Sequence, residues 1–384
     1  MNAATDHLHA AIQALEAGDA TRCVAILRDL APTSPDPRVA LVLGEAARKT
    51  GDDTTLAMAA DRLITLDPAM VRPLIWKGDM ATRAGDARRG MQFYATALAR
   101  ADATPQHPTL APELARIRDL TKALHDELGQ FVDDYLTAHG MPPARRSARI
   151  AESLRIMTGG ASHEMALQQP TVHYIPGLPQ RAWYDRADFA WATALEAQTD
   201  AIRGELLTIL ADDRAFAPYI EGDTHGPARN YQGLLDNPAW SAFYLWRDGV
   251  PVDANIARCP VTAAALDAIP RPQIAGRSPT AMFSLLAPNT HIPAHHGMLN
   301  GRLIAHLPLI VPNECTMRVG DETRTWQTGE LAIFDDSVNH EAWNRSDETR
   351  VVLLFDIPRP ELDDEEQRAI DLCFRAVDAY KSDN

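Results

Sequence analysis

The chain has 384 residues with 37 Lys and Arg against 52 Asp and Glu, a net charge of −15, which argues against nucleic acid or an anionic membrane as its partner. Hydrophobic residues make up 46% and charged residues 23%, a globular rather than disordered balance, and the length allows two or three domains with sizeable cores. Cys23, Cys259, Cys315 and Cys373 are scattered without CxxC spacing, which excludes a zinc ribbon or a disulfide framework as the leading reading and favours a reducing compartment, the cytoplasm. The opening segment carries Asp6, Glu16 and Asp19 and no basic start followed by an apolar core, so no signal peptide is expected. No apolar run of about 18 residues marks a membrane span either.

From its beginning the chain reads as helical with an internal period. Gly-Asp recurs at Gly18-Asp19, Gly51-Asp52 and Gly85-Asp86, offsets of 33 and 34 residues, the period of tetratricopeptide repeats. Gly44 and Gly78 each stand seven residues before the next of these glycines, and Trp76, Tyr94, Ala97, Pro35 and Pro68 fall near the aromatic, small-residue and terminating-proline positions of such repeats. Residues 1–125 are therefore expected to form about three tetratricopeptide-like repeats, with a plain helical bundle as the alternative. After a Pro- and Thr-rich break at 101–112, helical periodicity returns over Glu113–Leu136. Residues 126–165 read as a helical linker whose basic stretch, Met141–Gly159, suggests a charged, solvated helix. Phe189–Leu210 carries Leu195, Ile202, Leu206 and Leu210 at helical spacing, one helix packing outside the following domain. Residues 361–384 read as a closing helix.

Between Ser284 and Asp356 the pattern changes to short alternating segments separated by turns. In RLIAHLPLIV, Arg302, Ile304 and His306 share one face and Leu303, Ala305 and Leu307 the other, because successive strand side chains point oppositely. Gly320-Asp321 and Thr328-Gly329-Glu330 supply the residues that tight hairpins need. Many short strands with turns imply a barrel or jelly roll over 166–360. His295, His306, His340 and Arg350 lie among these strands. Arg350 shares a face with Val352 and Leu354, so its guanidinium would end inside the barrel, where it needs an anionic partner. Two imidazoles with open coordination positions suit non-haem Fe(II), and a guanidinium fork suits a carboxylate, so 2-oxoglutarate fits both observations.

The same stretch contains THxxxHxG (Thr290–Gly297), RTW (Arg324–Trp326), FDDSxxHExW (Phe334–Trp343) and then Arg350. This set resembles the catalytic domain of the aspartyl/asparaginyl β-hydroxylase family, with looser similarity at Pro176–Asp185 and Ala239–Gly249. The resemblance implies an α+β multidomain chain: a tetratricopeptide-like solenoid, then a double-stranded β-helix (jelly-roll, cupin-like) dioxygenase that uses Fe(II), 2-oxoglutarate and O2. It implies metal ligation by His295 and His340, cosubstrate binding by Arg350, Ser284 and His306, and a metal-bound water held by Asp336. Gly297 stands where most related oxygenases carry the third, acidic ligand, and Ile304 stands where animal members carry an Arg; Arg302, on the same face, is the residue that could replace it. The implied reaction is hydroxylation of a C–H bond, the β-carbon of an Asp or Asn group in a peptide, protein or small molecule, with the repeats as a site for a protein partner. A halogenase-type enzyme, or a non-catalytic interaction protein with a vestigial barrel, are the rival readings.

Overall fold

A computed structural model of the chain describes residues 3–212, 214–220 and 234–380. They fall into two compact units, one ending at His125 and one running from Asp126 to Tyr380.

The first unit is helical and built from antiparallel pairs: α1 (Ala3–Glu16) with α2 (Ala20–Leu27), α3 (Pro37–Thr50) with α4 (Asp53–Leu66), and α5 (Arg72–Arg83) with α6 (Ala87–Ala103). The recurrent Gly-Asp sits in the turn of each pair and does the same two jobs. Gly18, Gly51 and Gly85 take φ of 83°, 71° and 86°, the left-handed conformation that ends a helix and costs other residues strain. Asp19, Asp52 and Asp86 then accept hydrogen bonds from the backbone N–H of Arg22, Thr55 and Arg89 at 2.9–3.0 Å, satisfying open donors at the start of the next helix. Gly44 and Gly78 serve packing: a Cβ on either would lie 2.2 Å from Trp76 or 2.4 Å from Tyr94. Both rings are fully buried there, so the glycines let the helices close on them.

Helix α7 (Ala111–Ala138) runs on into the second unit, followed by α8 (Ala148–Met157). The basic helix α8 is amphipathic rather than solvated: Ile150, Ser153 and Leu154 are buried, and Ser147 and Arg149 bind Glu366 at the head of the closing helix. The expected helix over 189–210 divides into α9 (Ala192–Glu196) and α10 (Thr199–Leu210). The Thr199 hydroxyl donates to the Glu196 carbonyl at 2.6 Å, a local bond that competes with the helical ladder.

Among the described residues twelve strands follow: β1 (Trp183–Tyr184), β2 (Ala217–Pro218), β3 (Trp240–Arg247), β4 (Val250–Pro251), β5 (Ala281–Leu286), β6 (Thr290–His295), β7 (Arg302–Ile310), β8 (Cys315–Val319), β9 (Glu322–Thr325), β10 (Ala332–Phe334), β11 (His340–Asn344) and β12 (Arg350–Pro358). They make two antiparallel sheets, one ordered β1-β10-β7-β12-β5-β3-β2 with β4 on β3, the other β6-β11-β8-β9. Short helices α11 (Asp253–Ile256) and α12 (Pro260–Asp267) follow β4, and α13 (Asp364–Ala379) closes the chain. The large sheet buries both faces. Leu303, Ala305, Leu307, Val351, Leu353 and Phe355 pack against Ile202, Leu206 and Leu266 of α10 and α12. The alternate residues, with Trp183, Trp240, Ile304 and Phe334, meet Ile292, Met317, Val319 and Ala342 of the small sheet in a second core. Candidate site residues lie in that inner layer. Among the described residues no helix is long and apolar enough to cross a membrane, and all four cysteines are free and buried.

A buried polar clasp ties the segment before β1 to the end of β12. Arg359 and Asp335 are both fully buried and paired at 2.6 Å. The guanidinium also donates to Asn300 O, Pro179 O and Tyr184 Oη, while Asp335 accepts from Gln168 Nε2 and Ser337. Both carboxylate oxygens of Asp335 thus meet donors, which is what makes a buried ion pair tolerable. Asp335→Ala would strand the guanidinium and should cost the second unit about 3–5 kcal/mol in chemical denaturation, whereas replacing both partners with apolar residues should cost less. A loss below about 1 kcal/mol for the single variant, the size of an exposed pair, would contradict the clasp.

Candidate active site

Strands β6 and β11 pair antiparallel with His295 opposite His340, and the two rings lie 4.1 Å apart between centroids. The register shifts immediately after His340, an irregularity that re-aims a side chain at the end of a ladder. Each Nδ1 faces a backbone carbonyl, His295 to Pro293 at 2.7 Å and His340 to Val338 at 2.9 Å. A carbonyl oxygen only accepts, so both Nδ1 atoms carry a proton, the tautomer that in a neutral ring leaves the lone pair on Nε2. Burial, reinforced by neighbouring His295, pushes the His340 pKa down to about 4, so this ring is neutral and metal-competent at physiological pH.

Beside the pair, the loop after β10 delivers Asp336. Its carboxylate occupies the space next to Gly297: a Cβ there would lie 2.1 Å from Asp336 Oδ2, and the Gly297 N–H donates to the Asp336 carbonyl at 2.6 Å. Arg302 fixes the carboxylate with two bonds, Nη1 to Oδ1 at 2.9 Å and Nη2 to Oδ2 at 3.1 Å. The side chain read as a substitute contact for a substrate carboxylate is therefore engaged by Asp336, with Asp356 a further 3.9 Å from its Nε. Asp356 is itself pushed up to about 6 by burial, against the pull of Arg302. Among the described residues no three His, Cys, Asp or Glu form a ready-made cation cage. The protein donor set is two imidazoles with a held carboxylate nearby.

The inner face of β5, β12 and β7 carries Ser284, Arg350 and His306. Ser284 stands opposite Val352 and His306 opposite Leu354, so all three side chains converge from adjacent strands on one patch. Arg350 is 2% exposed and His306 5%, yet Arg350 Nε and Nη1 and both His306 ring nitrogens have no hydrogen-bond partner. The guanidinium lies 4.7 Å from the Trp326 ring, and that ring stacks on His306 at 5.9 Å. Burial lowers the Arg350 pKa to about 10, so it stays charged. Burial, then Arg350 and His340, keep His306 well below its usual value and neutral. Leaving a buried cation and several donors unmet costs several kcal/mol, so this patch is built for an anion with multiple acceptors.

Apolar side chains surround these groups. Trp240 stacks on Tyr219 at 4.1 Å and lies 6.2 Å from His295, Phe334 sits 5.8 Å from His340, and Ile304 and Met317 belong to the same cluster. The indole N–H groups of Trp183, Trp240 and Trp326 are buried without partners. Tyr219 was not singled out in the sequence, and Trp183 was marked only as part of the Pro176–Asp185 stretch. Two further histidines flank the pair, and His296 is close enough to interact electrostatically with both of its rings. His291 is exposed, bound to Glu341 at 3.0 Å and stacked on Trp343, and His296 is partly exposed.

The comparisons with known proteins cover this same region. Residues 196–360 match the model of the family described as Aspartyl/Asparaginyl beta-hydroxylase. The chain is 39% identical over 180 residues to an ornithine lipid ester-linked acyl 2-hydroxylase of Rhizobium tropici, covering 46% of this chain and 60% of that protein. It is 29% identical over 212 residues to the human aspartyl/asparaginyl beta-hydroxylase, 54% of this chain but only 26% of that protein. With human aspartate beta-hydroxylase domain-containing protein 2 it shares 28% over 273 residues, 69% of each chain. The matched span holds the segments that carry His295, His340 and Arg350, and residues 196–360 are similar to the aspartyl/asparaginyl β-hydroxylase family.

Proposed function

We propose that this chain is an Fe(II)- and 2-oxoglutarate-dependent dioxygenase that hydroxylates a C–H bond beside a carboxyl-derived carbon. The observation that carries this reading is the pairing of two Nε2 lone pairs, on His295 and His340, with an anion patch of Arg350 and His306 whose donors are unmet. Two imidazoles with open positions suit Fe(II), and a planar guanidinium suits a terminal carboxylate. His295 and His340 would hold the metal, and Arg350, Ser284 and His306 would hold 2-oxoglutarate. Iron, when bound, supplies the redox chemistry by which O2 converts 2-oxoglutarate to succinate and CO2 while one oxygen atom enters the substrate. The residues of the chain do the rest. Asp336, held by Arg302, offers a carboxylate acceptor for a water at the site, and the buried aromatic walls keep bulk water from the reacting groups.

The names of the relatives narrow the chemistry. The β-carbon of an Asp or Asn residue and the 2-carbon of an acyl chain both adjoin a carboxyl-derived carbonyl, so one reaction geometry serves both. An Asp- or Asn-bearing peptide, protein or small molecule is the substrate implied by the family, and an acyl chain is the one implied by the Rhizobium relative. A halogenase reading is disfavoured because the space beside Gly297 is taken by the Asp336 carboxylate, which would repel a halide. A vestigial barrel is disfavoured by the full set of site residues. We further read the two sheets as a double-stranded β-helix, the paired helices as tetratricopeptide-like repeats that recruit a partner, and the four free thiols as a sign of the cytoplasm.

Purified protein given Fe(II), 2-oxoglutarate and air should form succinate. His340→Ala should abolish both iron binding and succinate formation, while His296→Ala should keep most of each; equal losses would contradict the ligand assignment. Arg350→Ala should raise the 2-oxoglutarate dissociation constant by roughly 30-fold or more, because removing one partner of a desolvated charge pair costs about 2–5 kcal/mol. Arg350→Lys should fall between, since an ammonium cannot reproduce the two parallel bonds of the fork. Calorimetric titration with Fe(II) kept anaerobic reads this directly, and unchanged affinity in the Ala variant would remove Arg350 from the site.

A further inference from the structure

We infer that Trp326 is a positioning residue for the cosubstrate: the face of its ring holds the Arg350 guanidinium in place while leaving the nitrogens of that group free for a carboxylate. The inference deepens the dioxygenase reading above and rests on it. Its ground is the way three buried arginines are held. The Arg302 guanidinium is oriented by two bonds to the Asp336 carboxylate, and that of Arg359 by Asp335, two backbone carbonyls and Tyr184 Oη. Bonds of that kind fix a side chain by occupying its donors. Arg350 is held differently: Nε and Nη1 meet no acceptor, and its Cζ lies over the Trp326 ring, 4.7 Å from the centroid. An aromatic face attracts a cation through its quadrupole and requires none of the N–H donors. A protein carboxylate in its place would hold Arg350 as firmly, and would compete with the distal carboxylate of 2-oxoglutarate. The same ring treats His306 in the same way. It stacks on that imidazole at 5.9 Å while Phe334 meets it edge-on at 5.0 Å, and neither contact engages a ring nitrogen.

The backbone sets Trp326 there without help from a ligand. Along the β8–β9 ladder Thr325 stands opposite Thr316 and Arg324 opposite Met317. Directly opposed residues share a face, and Met317 is buried in the core between the two sheets. Trp326, two residues beyond Arg324, keeps the same phase and turns into that core. The chain then bends, with the Glu330 N–H donating to the Gln327 carbonyl at 3.1 Å, and the Gly329 N–H donates to the Pro308 carbonyl at 2.9 Å. Pro308 lies on β7, two residues past His306. Trp326 is thus strung between the small sheet, through β9, and the large sheet, through β7. The spacing of the RTW stretch acquires a reason: Arg324 covers the Trp183 ring at 4.4 Å, while Trp326, 7% exposed, supports Arg350.

The test titrates 2-oxoglutarate by calorimetry into the full chain loaded with Fe(II) and kept free of oxygen. Trp326→Leu should raise the dissociation constant by roughly tenfold, the size of a desolvated cation–π contact, and leave Fe(II) affinity unchanged. Trp326→Phe keeps a face and loses the indole N–H, and should stay within about threefold of the parent protein. In an Arg350→Ala background, Trp326→Leu should add about threefold or less, because two residues that act through one contact are not additive. Loss of thermal stability in the Leu variant decides nothing, since any core tryptophan would show it. If that variant does not fold, the parent protein produced with fluorinated tryptophan takes its place: ring fluorines weaken the attraction of the face for a cation. The fluorinated parent should then bind 2-oxoglutarate more weakly than the unfluorinated one, and fluorination of Trp326→Phe should change nothing. An unchanged dissociation constant in Trp326→Leu or in the fluorinated parent would overturn the inference. So would equal losses with and without Arg350, or a Phe variant as weak as the Leu one, which would point to the N–H and not the face. A parent protein that binds no 2-oxoglutarate would instead bring down the dioxygenase reading, and this inference with it.

Discussion

Charge balance in a dry interior is the constraint from which this site follows. The dipeptide Asp335-Asp336 sends its two carboxylates to different places because successive residues leave the backbone in different directions. Asp335 meets Arg359 in a clasp closed by Gln168, Ser337 and Tyr184. Asp336 meets Arg302 beside the histidine pair. Of the three buried arginines among the described residues, two are thereby neutralised by neighbouring residues, and the third, Arg350, is not. A fold that otherwise pairs its buried charges keeps one open where a ligand can close it.

The histidine pair depends on the same frame. The small sheet supplies His295 and His340 through one strand pairing, and the large sheet supplies Ser284, His306 and Arg350 through another three strands. Both sets are fixed by backbone ladders, and the histidine pair also by bonds from Nδ1 to carbonyl oxygens, so the two rings are oriented by the protein alone. Gly297 is part of this arrangement. Any side chain there would collide with Asp336, so the carboxylate that a third ligand would bring comes from a different segment.

Much of this was readable in the sequence where a residue's chemistry is local. The Gly-Asp period was legible because each pair performs a turn and a cap within a few residues. The alternation in β7 gave the faces of Arg302, Ile304 and His306 for the same reason. What was not legible depended on distant partners. Arg302 could be assigned a face but not an anion, and its partner Asp336 lies 34 residues away. Arg359, Gln168 and Asn300 drew no attention because an isolated Arg, Gln or Asn is usually a surface residue; only the fold brings them together. The break between α9 and α10, where the Thr199 hydroxyl bonds the Glu196 carbonyl, leaves no mark in hydrophobic periodicity, whereas Ile150 and Leu154 on the buried face of α8 were visible in it, and only the bonds of Ser147 and Arg149 to Glu366 were not.

The central claim is that the histidine pair and the open guanidinium form one site for a metal and a dicarboxylate together. It is tested most directly by adding 2-oxoglutarate to the Fe(II)-loaded protein without oxygen and recording the visible spectrum. The account requires a metal-to-ligand charge-transfer band that appears only when both are present. Binding of 2-oxoglutarate with no such band, or equally well without iron, would mean that the two halves of the site act on different ligands and would contradict it.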